Sequence, residues 1–97
     1  VTSGYTLAFK TSALKEWQRL DKPVQTQFKK KLAERLLQPH VPAAKLAGLP
    51  NAYKIKLRAT GFRLVYEVNE HTVTVTVVAV SKREDNAVYQ AARARLS

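Results

Sequence analysis

Lys54, Lys56 and Arg58 occupy every second position of Tyr-Lys-Ile-Lys-Leu-Arg, and Arg63 follows after Ala59, Thr60 and Gly61. Successive side chains of an extended strand leave on opposite sides, so this spacing gathers the cations on one face and Tyr53, Ile55 and Leu57 on the other. Phe62, Leu64, Tyr66 and Val68 then resume the alternation. If the two runs form an antiparallel hairpin, their apolar sets share a face only in registers such as Leu57 opposite Phe62. That register sets Lys56 against Arg63, with Lys54 one pleat away. Directly opposed like charges weaken a hairpin. Either water screens them on a solvated basic face, the plainer reading of the pattern, or an anion occupies the position.

A dense set of lysines and arginines is sparse equipment for most reactions, but it suits one. Phosphodiester transesterification in RNA needs no protein nucleophile, because the 2′-hydroxyl attacks the adjacent phosphorus. The protein has to align attack and departure, neutralise charge on the phosphate oxygens and help protons move. Fixed cations serve the second need. Among crowded positive charges an ammonium or a phenol releases its proton more readily, which makes lysine and tyrosine the available bases. Arginine stays protonated and is better suited to steadying a leaving oxygen than to donating a proton to it. Other chemistries lack their residues. There is no cysteine, His40 and His71 fall in a proline-rich loop and at a hairpin turn, and the seven carboxylates show no ligand spacing. Neither a metal site nor a cofactor is expected, and no Gly-rich phosphate loop, Ser-His-Asp set or Cys nucleophile is evident.

The elements that must hold these residues are legible in outline. Ninety-seven residues with 45% hydrophobic content and few glycines or prolines suit one small globular domain spanning residues 1–97. No apolar run reaches the length of a membrane span, and the missing cysteines agree with a reducing cytoplasm. Seventeen Lys plus Arg against seven Asp plus Glu give a net charge of +10, which favours polyanions such as nucleic acid, or an acidic protein partner.

Tyr5 to Phe9 reads as a short strand. Ser12 is a plausible N-cap for a helix through Ala13, Leu14, Trp17 and Leu20, with Lys15, Glu16 and Arg19 on its wet side. Pro23 suits the first turn of a second helix whose apolar line is Val24, Phe28, Leu32 and Leu36. Its cations Lys29, Lys30, Lys31 and Arg35 are candidate RNA contacts, although the wet side of an amphipathic helix accounts for them somewhat more simply. Gln38 to Pro50 reads as a loop. After the basic hairpin, Asn69-Glu70 turns the chain into a strand from His71 to Val80. Val68 opposite His71 would place Val73, Val75 and Val77 beside Tyr66, Leu64 and Phe62, leaving the other sheet face wet and cationic. Ser81 and Glu84 fit a capping box opening a last helix through Val88, Ala92 and Leu96, with Arg83 and Tyr89 near its start. The expected fold is α+β: an antiparallel sheet made of an N-terminal strand plus a three-stranded meander, an N-terminal α-hairpin packed on one face, and a C-terminal helix.

Three segments in this order resemble the RelE toxins of bacterial type II toxin-antitoxin modules: Ala-Leu-Lys-Glu-Trp, Tyr-Lys-Ile-Lys-Leu-Arg with Gly-Phe-Arg-Leu-Val-Tyr, and Val-Ser-Lys-Arg-Glu with Val-Tyr. The resemblance implies a metal-independent endoribonuclease that cleaves mRNA in the ribosomal A site and leaves a cyclic phosphate. It places the active site on Lys54, Lys56, Arg63, Arg83 and Tyr89. Arg63 would grip the scissile phosphate, Lys54 would stabilise its developing charge, Arg83 would assist the 5′-oxygen, and Lys56 with Tyr89 would activate the 2′-hydroxyl. Tyr89 could instead stack on a base. Arg58, Lys82, Lys45, Lys29, Lys30, Lys31 and Arg35 are the further candidates for RNA or ribosome contact.

Ala47, Ser81 and Asp85 depart from the Arg, Gly and Arg common in relatives, which bears on efficiency more than on reaction type. Implied partners are the ribosome, mRNA and a RelB-like antitoxin whose complex could bind operator DNA; no membrane partner is implied. Two other readings share the charge: a ParE-like toxin that inhibits DNA gyrase, and a basic nucleic-acid binder without catalysis.

Overall fold

The alternation that begins at Tyr53 becomes strand β2 (Ala52–Lys56), antiparallel to β3 (Phe62–Asn69). Its register pairs Tyr53 with Tyr66, Ile55 with Leu64 and Lys56 with Arg63, as the apolar pattern requires. Gly61 makes the turn possible: its φ of 81° lies in the left-handed region that costs a glycine nothing, and its amide bonds the Leu57 carbonyl at 2.8 Å. The remaining elements are β1 (Thr6–Phe9), α1 (Thr11–Gln18), α2 (Lys22–Leu37), β4 (Thr74–Lys82) and α3 (Ala87–Leu96). This computed structural model describes residues 4–82 and 87–96. The four strands form a mixed sheet in the order β1-β4-β3-β2; the meander is antiparallel as expected, but β1 lies parallel to β4, because the chain reaches the far edge of the sheet through α1, α2 and the β2–β3 hairpin before β4 returns beside it.

The second hairpin is out of step with the sequence expectation. Val68 pairs with Val75 instead of His71, and Tyr66 with Val77 instead of Val73. The physical reason is Asn69, whose Oδ1 accepts the amides of His71 (2.9 Å) and Thr72 (3.1 Å) and so holds the chain in a turn through residue 73. Val73, which β propensity assigns to a strand, takes φ 52° there. A β-bulge follows, because Val65 pairs with Ala79 while Tyr66 pairs with Val77, which leaves Val78 as the extra residue.

The bulge helps to build a second core. On one face α1 and α2 lay Ala13, Trp17, Val24, Phe28 and Leu32 onto Ile55, Leu57, Leu64, Tyr66, Val75, Val77 and Val80. On the other, Val88 and Ala92 of α3 cover Ala52, Val65, Val78 and Ala79. The expected wholly wet second face is therefore half right: α3 dries part of it, and the cations occupy what is left.

Two expected caps are not formed. Lys10, not Ser12, stands at the N-cap of α1, because its amide still bonds the Val77 carbonyl at 2.9 Å and the helix starts directly after that last sheet contact. Ser81 is a strand residue paired with Arg63, its hydroxyl on the Lys82 carbonyl; Glu84, its supposed partner, lies outside the described residues. The loop from Gln38 to Pro50 contains one 3-10 turn, Pro42–Ala44, and a bridge from Lys45 to Tyr53.

That loop is fastened by Tyr66. The side chain is fully buried, donates its hydroxyl to the Pro39 carbonyl at 2.7 Å, and accepts from Arg35 Nη1 at 2.8 Å. Tyr53 stacks on it with ring centroids 5.7 Å apart, and His40 sits between the Tyr53 hydroxyl (3.1 Å) and Glu70 (2.7 Å). Burial pushes the Tyr66 phenol above its ordinary pKa of 10.0, against the opposing pull of Arg35. Tyr66→Phe strands the Pro39 carbonyl, leaves Arg35 with only its long bond to the Lys54 carbonyl, and should cost about 1–3 kcal/mol in denaturant unfolding. The folded state holds the phenolic proton more tightly than the unfolded chain does. The stability it contributes is complete below about pH 10 and is lost as pH rises through the raised value. The wild-type melting temperature should accordingly fall more steeply above pH 10 than that of Tyr66→Phe, and parallel profiles would exclude the linkage.

A cationic candidate active site

Two strands and one helix supply the site. Lys54 and Lys56 project from β2, Arg63 from β3, and Tyr89 from the first turns of α3. Val88 and Ala92 bury the inner side of α3, and Tyr89, one residue on from Val88, is half-buried at the margin where the second core gives way to the cations. Arg63 Nη1 lies 3.5 Å from the Tyr89 hydroxyl and its guanidinium 5.7 Å from the ring centroid; the Lys54 ammonium approaches the same ring at 6.0 Å. The electron-rich face of the phenol is thus shared by two cations. Lys56 stands beside them through its register with Arg63.

None of these cations is neutralised by a described acidic residue. The ion pairs found among the described residues are His40 with Glu70 and Arg95 with Glu16, and neither reaches the cluster. Lys54 and Arg63 are half-buried and Lys56 is exposed, so the group lies open at the surface on a rigid sheet. Such a group can receive an anion with little rearrangement, with a phenol positioned to accept or pass a proton. Arg83 lies outside the described residues, as does Asp85.

The outlying cations divide into three kinds. Arg58 joins Lys56, Gly61, Phe62 and Arg63 around a depression of about 300 Å³. It also joins Lys30, Lys31 and Lys56 around a wider groove of about 630 Å³ between α2 and the hairpin. Lys82 lies over the Phe62 ring at 5.8 Å, in the cross-strand pair next to Arg63–Ser81 and therefore on the opposite side of the sheet from Arg63. Lys29 is exposed on α2, and Lys45 belongs to the loop bridged to Tyr53. Arg35 is different: its guanidinium turns inward to the Tyr66 hydroxyl and the Lys54 carbonyl (3.3 Å), so it braces the strand behind Lys54.

Reading the chain alone also missed Glu16. Helical spacing puts it on the wet side of α1, yet it pairs with Arg95 near the far end of the chain. No local pattern could join residues so far apart. Ala47 offers its carbonyl to Arg93 at 3.5 Å.

The Lys56–Arg63 opposition predicts a trade-off. Lys56→Ala relieves a like-charge contact and should stabilise the fold by about 0.2–1 kcal/mol at low ionic strength. The gain should shrink as added salt screens the wild-type repulsion. A lower melting midpoint for Lys56→Ala at low salt would contradict this account of the hairpin.

Comparison with known proteins places this chain in a family. The profile of the "ParE toxin of type II toxin-antitoxin system, parDE" matches residues 7–87. A RelE-like toxin protein of Escherichia coli is 53% identical over 92 residues, covering 95% of this chain and 97% of that protein. The mRNA interferase toxin RelE of Escherichia coli strain K12 is 50% identical over 93 residues, covering 96% and 98%. Among solved structures, the free E. coli toxin RelE carrying two arginine-to-alanine substitutions superposes with a TM-score of 0.90 at 47% identity, covering 98% of this chain and 100% of that one. The toxin of the intact E. coli RelBE toxin-antitoxin complex gives 0.80 at 51% identity, covering 82% and 98%.

Proposed function

The chain belongs to the RelE toxins of the type II toxin-antitoxin systems, and from that footing we infer that it is an mRNA interferase, an endoribonuclease that cuts messages while they are translated. The observation that carries the reading is the convergence of Lys54 and Arg63 on the Tyr89 phenol, with Lys56 alongside. A relative about half identical bears the name mRNA interferase, and the cations are arranged as cleavage of a phosphodiester requires.

In the proposed mechanism Arg63 grips the scissile phosphate through its fork of N–H donors. Lys56 with Tyr89 takes the proton from the 2′-hydroxyl, whose oxygen attacks phosphorus. The bond to the 5′-oxygen breaks as the 2′,3′-cyclic phosphate closes, and Lys54 stabilises the charge on the equatorial oxygens. Arg83 steadies the departing 5′-oxygen, which takes up a proton from solvent, and the base returns to solvent the proton it removed from the 2′-hydroxyl. Little in the small open site could bend an RNA linkage into line for this attack, which gives the ribosome its role: it presents the A-site codon already splayed, and the cations of α2 and the hairpin contact its RNA. A RelB-like antitoxin is the proposed partner, since solved relatives include toxin bound to antitoxin. The toxin would act in the cytoplasm, where ribosomes translate; among the described residues no helix is long and apolar enough to cross a membrane.

A ParE-like action on DNA gyrase is the second reading, prompted by the name of the matching profile. In a translation extract the protein should generate new 5′ ends within A-site codons and leave the same RNA largely intact in the absence of ribosomes. Inhibited supercoiling together with uncut translated mRNA would favour the second reading. Arg63→Ala should slow single-turnover cleavage by about 10²–10³-fold, and Tyr89→Phe by roughly a hundredfold, both with normal unfolding curves. Wild-type rates in the two variants would remove these residues from the mechanism.

A further inference from the structure

Strand β1 stops at Phe9, opposite Val77, whereas β4 continues to Lys82. Along this overhang two side chains from opposite sides of the sheet take the place of a neighbouring strand. Arg95 Nη1 donates to the Val78 carbonyl at 2.8 Å, and the Val80 amide donates to Glu16 Oε1 at 3.0 Å. Glu16 and Arg95 are then joined to each other by two bonds of 3.0 Å, Nη1 to Oε1 and Nη2 to Oε2. Glu16 belongs to α1, packed on one face, and Arg95 to α3, packed on the other, so the pair closes around the edge of the sheet. Both side chains are about three-quarters hidden, at 25% and 26% exposure.

This fastening bears on the site because the other described contacts of α3 are modest: Tyr89, Ala91 and Leu96 are only partly buried against the second core, and Arg93 reaches the Ala47 carbonyl at a long 3.5 Å. The buried side chains of α3 are Val88 and Ala92, both small. Such a contact resists separation but only weakly fixes how the helix is turned. The guanidinium fork supplies the missing orientation, since it reads the carbonyl of the bulged residue and a fixed carboxylate at once. Arg95 sits in the last turn and Tyr89 in the first, about 9 Å apart along the axis at 1.5 Å per residue. A small rotation at one end therefore displaces the phenol at the other, where its contact with Arg63 is already long at 3.5 Å.

We propose that the Glu16–Arg95 pair is a positioning element for catalysis, which sets the orientation of α3 and thereby seats the Tyr89 phenol against Arg63 and Lys54. The inference rests on the nuclease reading above. In single-turnover cleavage on programmed ribosomes, Arg95→Met should lower the saturated rate by roughly 10–100-fold while the half-saturating ribosome concentration stays within about twofold. In a Tyr89→Phe background the same substitution should cost less than about threefold, because a residue that acts through the hydroxyl has nothing left to act on. A saturated rate within about twofold of wild type, or an equal loss in both backgrounds, would overturn the proposal and leave the pair a purely structural clamp. Should Arg95→Met be unfolded at the assay temperature, Glu16→Gln carries the same comparison with the same two outcomes. A second readout is independent of cleavage: the Tyr89 ring resonances, assigned by their loss in Tyr89→Phe, should shift in the clamp variants while those of Tyr66 stay in place. Unmoved Tyr89 resonances sink the proposal even if the wild-type protein cuts no message, a result that by itself would count against the nuclease reading alone.

Discussion

Like charges held together without a counterion push the chain apart, and the sheet beneath them must withstand that repulsion. Lys56 faces Arg63 across β2 and β3, Lys54 and Arg63 share one aromatic ring, and no described carboxylate neutralises them. The Tyr89 ring offsets part of that repulsion, and the rest is carried by structure elsewhere. The sheet carries it because both of its faces are dry where it matters: two helices cover one side, and a short third helix covers the part of the other side that the cations do not use.

The edges of that sheet are closed by side chains as much as by backbone. Arg35 caps the Lys54 carbonyl on the β2 side, and Glu16 and Arg95 occupy the flank of β4 beyond the end of β1. In each case a charged group, drawn inward, rigidifies a strand that bears a site residue or adjoins one. The overall excess of positive charge therefore divides by role. Arg35 and Arg95 are committed to the framework through named acceptors, whereas Lys54, Lys56 and Arg63 remain available. Composition alone, which counts all seventeen cations alike, could not make that division.

What was legible in the chain follows from the range of the interactions involved. The β2–β3 register could be read because alternation and Gly61 act over a few residues and agree with one another. The β3–β4 register could not, because the Asn69 side chain captured two amides and delayed the strand, and because a bulge has no sequence signature of its own. The Ser81 cap failed for a related reason: strand pairing with Arg63 outcompeted a local hydroxyl contact. Lys54, Lys56 and Arg63 stood on one face by periodicity alone. The approach of Tyr89 to them was suggested by family resemblance, since no spacing rule connects a helix to a strand so far upstream. Glu16 with Arg95 and Arg35 with Tyr66 lay beyond both kinds of reasoning.

The bulge at Val78 chooses the neighbour of Arg63. Tyr66 pairs with Val77, and an unbroken ladder counted on from there would bring Val80 opposite Arg63 and leave Ala79 in the main core. One surplus residue moves the tail of the strand along by a step, so that Val80 fills the core and Ser81 stands across from the arginine. A branched hydrocarbon is thereby kept out of a place meant for charge, and a small hydroxyl is put there instead. In this chain the phasing of a single strand decides whether the residue paired with Arg63 is oily or wet, and it does so without altering any residue of the site itself.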